Sequence, residues 1–394
     1  MPSLIISAQR LKDCTESLPE NLKSRYVGRL SGIMIKPSLE GCASLIRNIG
    51  GSCTLLNLRD GYLVAGTKSG KISCWSVSDG SNIWKRDFDG PCNDSEICGP
   101  CIYITESNMV HSIDIANGRV NWTVELEGSV DLISADEAYL WVTSSVYNIE
   151  IQDFTEGSVC QIDMNGKKIA TWPTEGRAWS LCSVDGAAYL GLSRPKCGYC
   201  IISHERIEYF PLGHSSPVTV GDGNDVNGVI FGHSDGGSSQ LVNGEISTSS
   251  ARGSSATAIY CSDGWIIGLE NGEIHARGDF GSWESKLEGQ VEEFSIGPSL
   301  DERKVLWASS WGDASEISVF DLASGEVILK MQHSGRVSQM CGSQKVICFG
   351  DENGNLLILE AGVFRRRLQE FQPNFVEGDS ESVMRRKIRE LRRG

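Results

Sequence analysis

The 394-residue sequence lacks any long apolar run. No stretch approaches the ~18 apolar residues that a membrane-spanning helix needs. Residues 1–7 contain only a short apolar run with no basic residues before it, which is too little for a secretory signal peptide. We therefore expect a cytoplasmic protein whose 14 scattered cysteines stay mostly reduced.

Proline and positive charge are also scarce. The chain has 11 prolines against 44 glycines, a balance that favours many short strands joined by tight hairpins. With 36 basic and 51 acidic residues, the net charge is −15, and an acidic body repels the phosphate backbone of nucleic acids. Nucleic acid is therefore not the expected partner of the main body.

No catalytic pattern is present in the sequence. The six histidines form neither an HxH nor an HExxH pattern, and no Gly-x-Ser-x-Gly elbow occurs. We predict no catalytic residue and no cofactor. Catalysis by residues that are distant in the sequence stays open as an alternative.

A hairpin pattern recurs along the chain with a period of about 40 residues. Residues 74–84, 112–122 and 319–329 each contain an alternating strand, a glycine turn and a second apolar strand. Glycine supplies the positive φ that a tight turn needs. The predicted turns lie at Gly80, Gly118, Gly166, Gly244, Gly281, Gly325 and Gly362, with a turn lacking glycine at His204-Glu205. Eight such units span residues 50–371.

Each unit also opens with an earlier hairpin, which is clearest at residues 63–72, 264–274 and 346–356. Two hairpins supply four strands, the content of one propeller blade, and blades must stack to bury both of their faces. The predicted fold is an all-β propeller of four-stranded antiparallel blades, with eight blades by this count and seven as the alternative.

The repeat also predicts the domain organisation. Residues 1–30 are an N-terminal extension, residues 31–371 the propeller, and residues 372–394 a linker with a basic amphipathic helix. Residues 33–46 resemble a late hairpin and are expected to close the ring onto the last blade, which would remove exposed sheet edges.

The repeated hairpin resembles the tryptophan-docking repeat of PQQ-like, or quinoprotein-type, propellers, whose pattern runs Ala-x-Asp-x-x-Thr-Gly-x-x-x-Trp. The matching residues are Asp114, Gly118 and Trp122 in one unit, Gly80 and Trp84 in a second, and Asp321 and Gly325 in a third, where Leu329 takes the tryptophan position. A looser resemblance to the WD40 class rests on Gly213-His214 and Gly232-His233. These resemblances imply an architecture, not an activity. Quinone dehydrogenases carry adjacent cysteines that this chain lacks, so bound PQQ is not expected.

Two Cys-x-x-Cys pairs provide candidate metal ligands, Cys98 with Cys101 and Cys197 with Cys200. The first pair matches the thioredoxin motif, but a strand-like sequence follows it instead of the helix that lowers the thiol pKa. The pairs are about 95 residues apart, whereas paired zinc-binding motifs are usually separated by about 15–20 residues. We interpret these cysteines as turn and core thiols, with a metal site as the alternative.

Four tryptophans lie near predicted loops: Trp172, Trp179, Trp283 and Trp311. Tryptophan is enriched in binding hot spots. These side chains are therefore candidates for lining a binding face.

The C-terminal segment has the opposite charge to the rest of the chain. Residues 362–394 contain nine Lys or Arg and five Asp or Glu, a net charge of +4, which leaves −15 − 4 = −19 on the remainder. A helix capped by Asp379 or Ser380 would have an apolar stripe among basic residues. The candidate partner-binding residues are Met384, Arg385, Arg386, Ile388, Arg389 and Leu391. The segment is predicted to fold back on the acidic body, to enter a partner groove, or to contact nucleic acid or an anionic membrane.

The pattern as a whole predicts a non-catalytic scaffold that binds other proteins through the propeller faces and the basic tail. The alternative is an enzyme, or a propeller that binds a small molecule or a metal, in its central channel or at its Cys-x-x-Cys pairs.

Overall fold

The computed structural model of the chain describes residues 37–371, except residues 151, 195, 204–205, 213–215 and 302. The predicted N-terminal extension and all six candidate partner-binding residues of the tail, from Met384 to Leu391, lie outside the described residues. The same is true of the predicted turn at residues 204–205 and of Gly213-His214.

Eight four-stranded antiparallel sheets form the blades of a propeller. Blade 1 contains β2 (Cys53–Arg59), β3 (Tyr62–Thr67), β4 (Lys71–Ser76) and β5 (Asn82–Asp87). Blade 2 contains β6 (Cys92–Cys98), β7 (Cys101–Glu106), β8 (Met109–Asp114) and β9 (Val120–Glu125). Blade 3 contains β10 (Ser129–Ala135), β11 (Tyr139–Asn148), β12 (Asp153–Asp163) and β13 (Lys168–Thr174). Blade 4 contains β14 (Ala178–Val184), β15 (Ala187–Leu192), β16 (Gly198–Ser203) and β17 (Arg206–Pro211).

The second half of the ring repeats this order. Blade 5 contains β18 (Val218–Asn224), β19 (Gly228–His233), β20 (Ser238–Val242) and β21 (Glu245–Thr248). Blade 6 contains β22 (Ala256–Cys261), β23 (Gly264–Leu269), β24 (Glu273–Gly278) and β25 (Gly281–Lys286). Blade 7 contains β26 (Gln290–Ile296), β27 (Val305–Trp311), β28 (Ser315–Asp321) and β29 (Val327–His333). Blade 8 contains β30 (Val337–Gly342), β31 (Val346–Asp351), β32 (Asn355–Glu360) and, from the other end of the chain, β1 (Leu45–Asn48).

The prediction of eight blades is confirmed, and the ring is closed. The first strand of each blade is innermost and packs beside the first strand of the next blade, and β30 packs beside β2. Because every blade has the same strand order, the turns define two faces. The upper face carries the turns between second and third strands, such as residues 68–70. The lower face carries those between first and second strands, such as residues 60–61.

The last blade differs from the prediction. Gly362 was expected in a hairpin turn, but helix α2 (Ala361–Phe371) follows β32, so that prediction is wrong. The fourth strand is β1, whose Leu45 pairs with Ile358 and whose Asn48 pairs with Asn355. The expected closure by the N-terminal segment is thus confirmed.

The segment before β1 also differs from the expected hairpin. Helix α1 (Leu39–Cys42) begins after Ser38, whose hydroxyl accepts a hydrogen bond from the Gly41 amide. Leu39 and Cys42 are fully buried, in one cluster with Phe364 of α2. The two helices therefore pack on each other and cover the core beside blades 7 and 8.

A histidine fixes this closure. His333, at the end of β29, is 4% exposed and lies between two carboxylates. Its Nδ1 is 2.6 Å from Glu40 Oε1, and its Nε2 is 3.1 Å from Asp351 Oδ2. Burial alone would lower the pKa of His333, but hydrogen bonds to Asp351 and Glu40 raise it to about 9. The protonated imidazole thus links α1 to blades 7 and 8.

Tryptophans join neighbouring blades on the outer side. The indole N–H donates to a carbonyl of the next blade from Trp84 to Ile115 (2.6 Å), from Trp122 to Met164 (3.0 Å) and from Trp283 to Leu322 (2.8 Å). A Cβ on Gly118, which has φ +72°, would lie 2.6 Å from the Trp84 ring. The turn glycine therefore serves both the turn and the tryptophan packed on it.

Two of the tryptophans considered for a binding face belong to the core instead. Trp283 makes the interblade bond just described and is 8% exposed. Trp172 is 9% exposed, and the centre of its ring lies 5.9 Å from that of Trp141. Trp311 ends β27 and is half-buried. Trp179, by contrast, is 46% exposed.

No helix among the described residues is long and apolar enough to cross a membrane.

Candidate functional site

One side-chain position near the start of each innermost strand links neighbouring blades. At five of the eight junctions a neutral side chain donates a hydrogen bond to a backbone carbonyl of the next blade. These bonds run from Thr54 to Cys92 (2.6 Å), Asn93 to Val130 (2.8 Å), Thr219 to Ala256 (2.8 Å), Thr257 to Val291 (2.7 Å) and Ser338 to Cys53 (2.7 Å). The last of these bonds joins blade 8 to blade 1. The position is therefore structural in most of the ring.

Two further junctions replace this bond with an ion pair. Arg177 Nη2 donates to Asp131 Oδ1 at 2.9 Å between blades 3 and 4. Arg336 holds both oxygens of Glu292, at 2.9 Å each, between blades 7 and 8. In each pair the acid occupies the junction position. The arginine is the residue directly before the innermost strand of the next blade. At these two junctions an ion pair therefore joins the neighbouring blades in place of the hydrogen bond to a backbone carbonyl.

The remaining junction, between blades 4 and 5, has Trp179 at this position. Trp179 makes no interblade hydrogen bond among the described residues, and almost half of its side chain is exposed. Its ring lies 4.9 Å from the Arg177 guanidinium. The seven equivalent side chains each bond to the next blade. The packing of the ring therefore does not explain why a large aromatic side chain faces solvent at this position.

Beside Trp179, blade 3 has an extended hairpin on the upper face. Strands β11 and β12 contain 10 and 11 residues, whereas the second and third strands of the other blades contain five to seven. Near the hairpin tip Tyr147 is 50% exposed and Ile149 is 82% exposed. The ring of Tyr147 meets that of Phe154 edge to face at 5.2 Å, and the Arg177 guanidinium lies 4.4 Å above Phe154.

The side chains of Tyr147, Phe154, Arg177 and Trp179 are connected by these contacts, and Ile149 lies at the tip of the same hairpin. We name these five residues the hairpin surface. Arg177 is held between two aromatic rings by cation–π contacts and by its ion pair with Asp131. The surface is therefore rigid at its centre and apolar at its exposed edge. Such aromatic and arginine side chains are common in protein-binding hot spots.

A groove separates blades 2 and 3 beside the same hairpin. Its two adjoining parts have volumes of about 650 and 560 Å³ and share Leu126, Glu127 and Lys168. Its apolar lining includes Leu126, Val146, Phe154, Cys160 and Pro173. Its rim carries Glu125, Glu127, Glu156 and Glu175, with Lys168 as the one lining cation. We name this feature the blade 2–3 groove.

The innermost strands also carry acids whose protonated form is favoured. Burial raises the pKa of Asp94 to about 6. Burial, with Asp94 and Asp222 nearby, raises the pKa of Glu96 to about 7. Burial and the neighbouring Glu292 raise the pKa of Glu293 to about 8. The centre of the ring is therefore acidic, and part of its charge is neutralised near pH 7.

The two Cys-x-x-Cys pairs lie apart. Cys98 and Cys101 face each other across the β6–β7 turn of blade 2, on the lower face, and the Cys98 thiol donates to the Asp136 carbonyl at 3.5 Å. Cys197 precedes β16 of blade 4, on the upper face, and burial raises the pKa of Cys200 to about 12. Among the residues that the structure describes, no group of three or more His, Cys, Asp or Glu side chains is placed to hold a metal ion.

Among the described residues, His233 and Ser239 make a histidine–serine contact, and it lies in the core. His233 Nε2 lies 2.9 Å from Ser239 Oγ, but these residues are 0% and 1% exposed. A substrate has no access to this pair. Its role is to satisfy polar atoms inside blade 5.

Sequence reasoning identified Trp179 but missed Tyr147, Ile149 and Phe154. A signal for the extended hairpin was present, because the spacing from Gly118 to Gly166 is 48 residues in a repeat of about 40. The extra length lies in the β11–β12 hairpin. The blade 2–3 groove left no comparable signal, since it joins side chains from two blades.

Comparisons with known proteins agree with this architecture. Residues 48–172, most of blades 1 to 3, match the PQQ-like repeat family described as outer membrane protein assembly factor BamB. No curated protein matches the sequence.

Two solved structures are similar in fold. The computationally designed Ika8 protein is 14% identical, with a TM-score of 0.66 over 80% of this chain and 98% of Ika8. Saccharomyces cerevisiae Sqt1, a WD40-like propeller, is 12% identical, with a TM-score of 0.67 over 81% of this chain and 99% of Sqt1. At these identities the likeness concerns the fold alone.

Proposed function

We propose that this eight-bladed propeller is a non-catalytic scaffold in the cytoplasm that binds another protein through the hairpin surface. The observation that carries the proposal is Trp179, an exposed tryptophan at a position that links blades at the seven other junctions. Burying it, together with Tyr147 and Ile149, against a partner would remove apolar surface from water. The gain is about 25 cal/mol for each Å² of apolar surface.

The basic tail is a second contact in this proposal. Its sequence places Met384, Ile388 and Leu391 on one helical stripe and Arg385, Arg386 and Arg389 around it. Such a helix suits a groove that is apolar in the middle and acidic at its edges. The two contacts give the scaffold separate sites on one rigid ring.

The test compares proteins captured from a native cell extract by the wild type and by variants. Trp179→Ala and Ile149→Ser remove hairpin-surface contacts. The matched control is Val226→Ser, because Val226 is 79% exposed in the β18–β19 turn on the lower face. Thermal unfolding confirms that each variant folds.

The proposal predicts a partner that both hairpin variants lose and the control retains. A protein ending at Gln372, which keeps α2 but lacks the tail, should capture the same partner more weakly. Equal capture by all variants would contradict the hairpin surface as the contact.

A further inference from the structure

The blade 2–3 groove has the chemistry of a peptide-binding site. Its lining combines apolar side chains with the hydroxyl groups of serines and threonines, and its acidic residues are Glu125, Glu127, Glu156 and Glu175. Glu175 pairs with Lys196 at 3.1 Å, and Glu125 accepts a hydrogen bond from Asn108 at 3.0 Å. Among the described residues, Glu127 and Glu156 have no cation within ion-pair distance, and both are exposed. An occupant that brings two or more cations would meet them.

The chain contains one segment that complements this groove. Residues 379–394 hold Met384, Ile388 and Leu391 at i, i+4 and i+7, a spacing that puts three apolar side chains on one helical stripe. The six cations around that stripe are Arg385, Arg386, Lys387, Arg389, Arg392 and Arg393. The apolar side chains of the stripe would meet Leu126, Val146 and the other apolar lining residues, and the cations would meet the glutamates.

The connecting chain sets the reach of the segment. The 13 residues from Phe371 to Met384 span at most about 45 Å when fully extended. A compact domain of this size has a radius of gyration of about 20 Å and a width of roughly 50 Å. The extended connection is therefore nearly as long as the propeller is wide.

We infer that the C-terminal segment 379–394 docks into the blade 2–3 groove of its own propeller. Burial of its apolar side chains positions the segment, and Glu127 and Glu156 pair with its cations. A partner that uses the tail must first displace it, so docking limits the partner's access. This inference does not depend on the hairpin surface binding anything.

The test uses the protein ending at Gln372 and a fluorescently labelled synthetic peptide of residues 379–394. Fluorescence anisotropy should show saturable binding, which weakens as salt screens the ion pairs. The double variant Glu127→Lys with Glu156→Lys should weaken binding at least tenfold. The matched control, Glu137→Lys with Glu326→Lys, makes the same charge change in exposed lower-face turns and should leave the affinity within about twofold.

A second peptide tests the apolar contact. Replacing Met384, Ile388 and Leu391 by serine keeps every charge, so retained binding by this peptide would reduce the interaction to charge attraction and overturn the docking mode. Absence of saturable binding by the native peptide, or equal loss in the control protein, would also overturn it.

The full-length protein tests whether the segment occupies its own groove. A tethered segment has an effective concentration on the order of 1 mM, so it should weaken binding of added peptide at least tenfold. If full-length and truncated proteins bind the peptide equally, self-docking is refuted, and the groove is left as a site for a basic segment of another protein. Phe154 belongs to both surfaces, whereas Trp179 and Ile149 do not line the groove, so the capture experiment with variants of these two residues is scored separately from the peptide assay.

Discussion

Replacing His333 by alanine should open the ring closure. His333 forms an ion pair with both Glu40 and Asp351, and Asp351 is fully buried. Removing one member of a buried charge pair usually costs about 3–5 kcal/mol, because the other charge is left uncompensated. The rise in the pKa of His333 from 6.5 to about 9 gives a second value for the stability that its charge contributes. At about 1.4 kcal/mol per pKa unit, this contribution is about 3 kcal/mol.

The sign of the pH dependence follows from that raised pKa. Since the folded state holds the proton more tightly than the unfolded state, this contribution is complete below pH 6.5 and disappears as pH rises through about 9. Urea unfolding of the wild type and His333→Ala at pH 6, 8 and 10 should therefore show a difference of about 3 kcal/mol at pH 6 that shrinks toward pH 10.

Two further measurements make this prediction specific. Glu40→Gln removes the more exposed carboxylate and should cost about 1 kcal/mol. Limited trypsin digestion should cut after Arg47 faster in His333→Ala, because α1 no longer holds β1 in place. A loss below about 1 kcal/mol that is independent of pH would refute the reasoning.

Three other predictions concern the ring. Glu293→Gln should raise the free energy of unfolding at pH 9 by at most about 5 kcal/mol, because the pKa of this carboxyl rises from 4.5 to about 8 on folding and each pKa unit corresponds to about 1.4 kcal/mol. The gain should be much smaller at pH 5, where the unfolded carboxyl is only partly ionised, and thermal unfolding at both pH values checks this. Trp84→Ala should lower the free energy of unfolding, measured with urea, by about 3–5 kcal/mol, since it removes a buried indole and its hydrogen bond to the next blade. Trp179→Ala should change the same free energy by no more than about 0.5 kcal/mol. The Cys200 thiol, with its pKa near 12, should react with iodoacetamide at pH 8 only after unfolding, as mass spectrometry of the labelled peptide would show.

The repeat made the fold predictable from the sequence. Gly118, Gly166 and Gly325 each combine a positive φ with close packing against a tryptophan of the preceding blade, so the pattern Asp-x-x-x-Gly-x-x-x-Trp reports local geometry and packing together. Closure by β1 was also predictable, since residues 33–46 resemble a late hairpin of the repeat. The error at Gly362 has a physical cause. The fourth strand of blade 8 is supplied by the other end of the chain, so the residues after Glu360 are free to form a helix whose Phe364 and Leu368 cover the core.

The candidate site was less predictable, because its meaning depends on comparing blades in three dimensions. Trp179 and Trp283 look alike in the sequence, yet one is exposed and the other joins two blades. Only the equivalence of Thr54, Trp179 and Ser338 around the ring shows that Trp179 occupies a linking position without making the link.

The most direct test of the scaffold account is site-specific photo-crosslinking in cells. A photoreactive phenylalanine derivative is placed at position 149 in one protein and at position 226 in another. These tips are 82% and 79% exposed and lie on opposite faces, so reagent access is matched. The account predicts a discrete crosslinked protein at position 149 that is absent at position 226 and lost when Trp179→Ala is added. The same crosslinks at both positions, or none at position 149, would contradict binding through the hairpin surface.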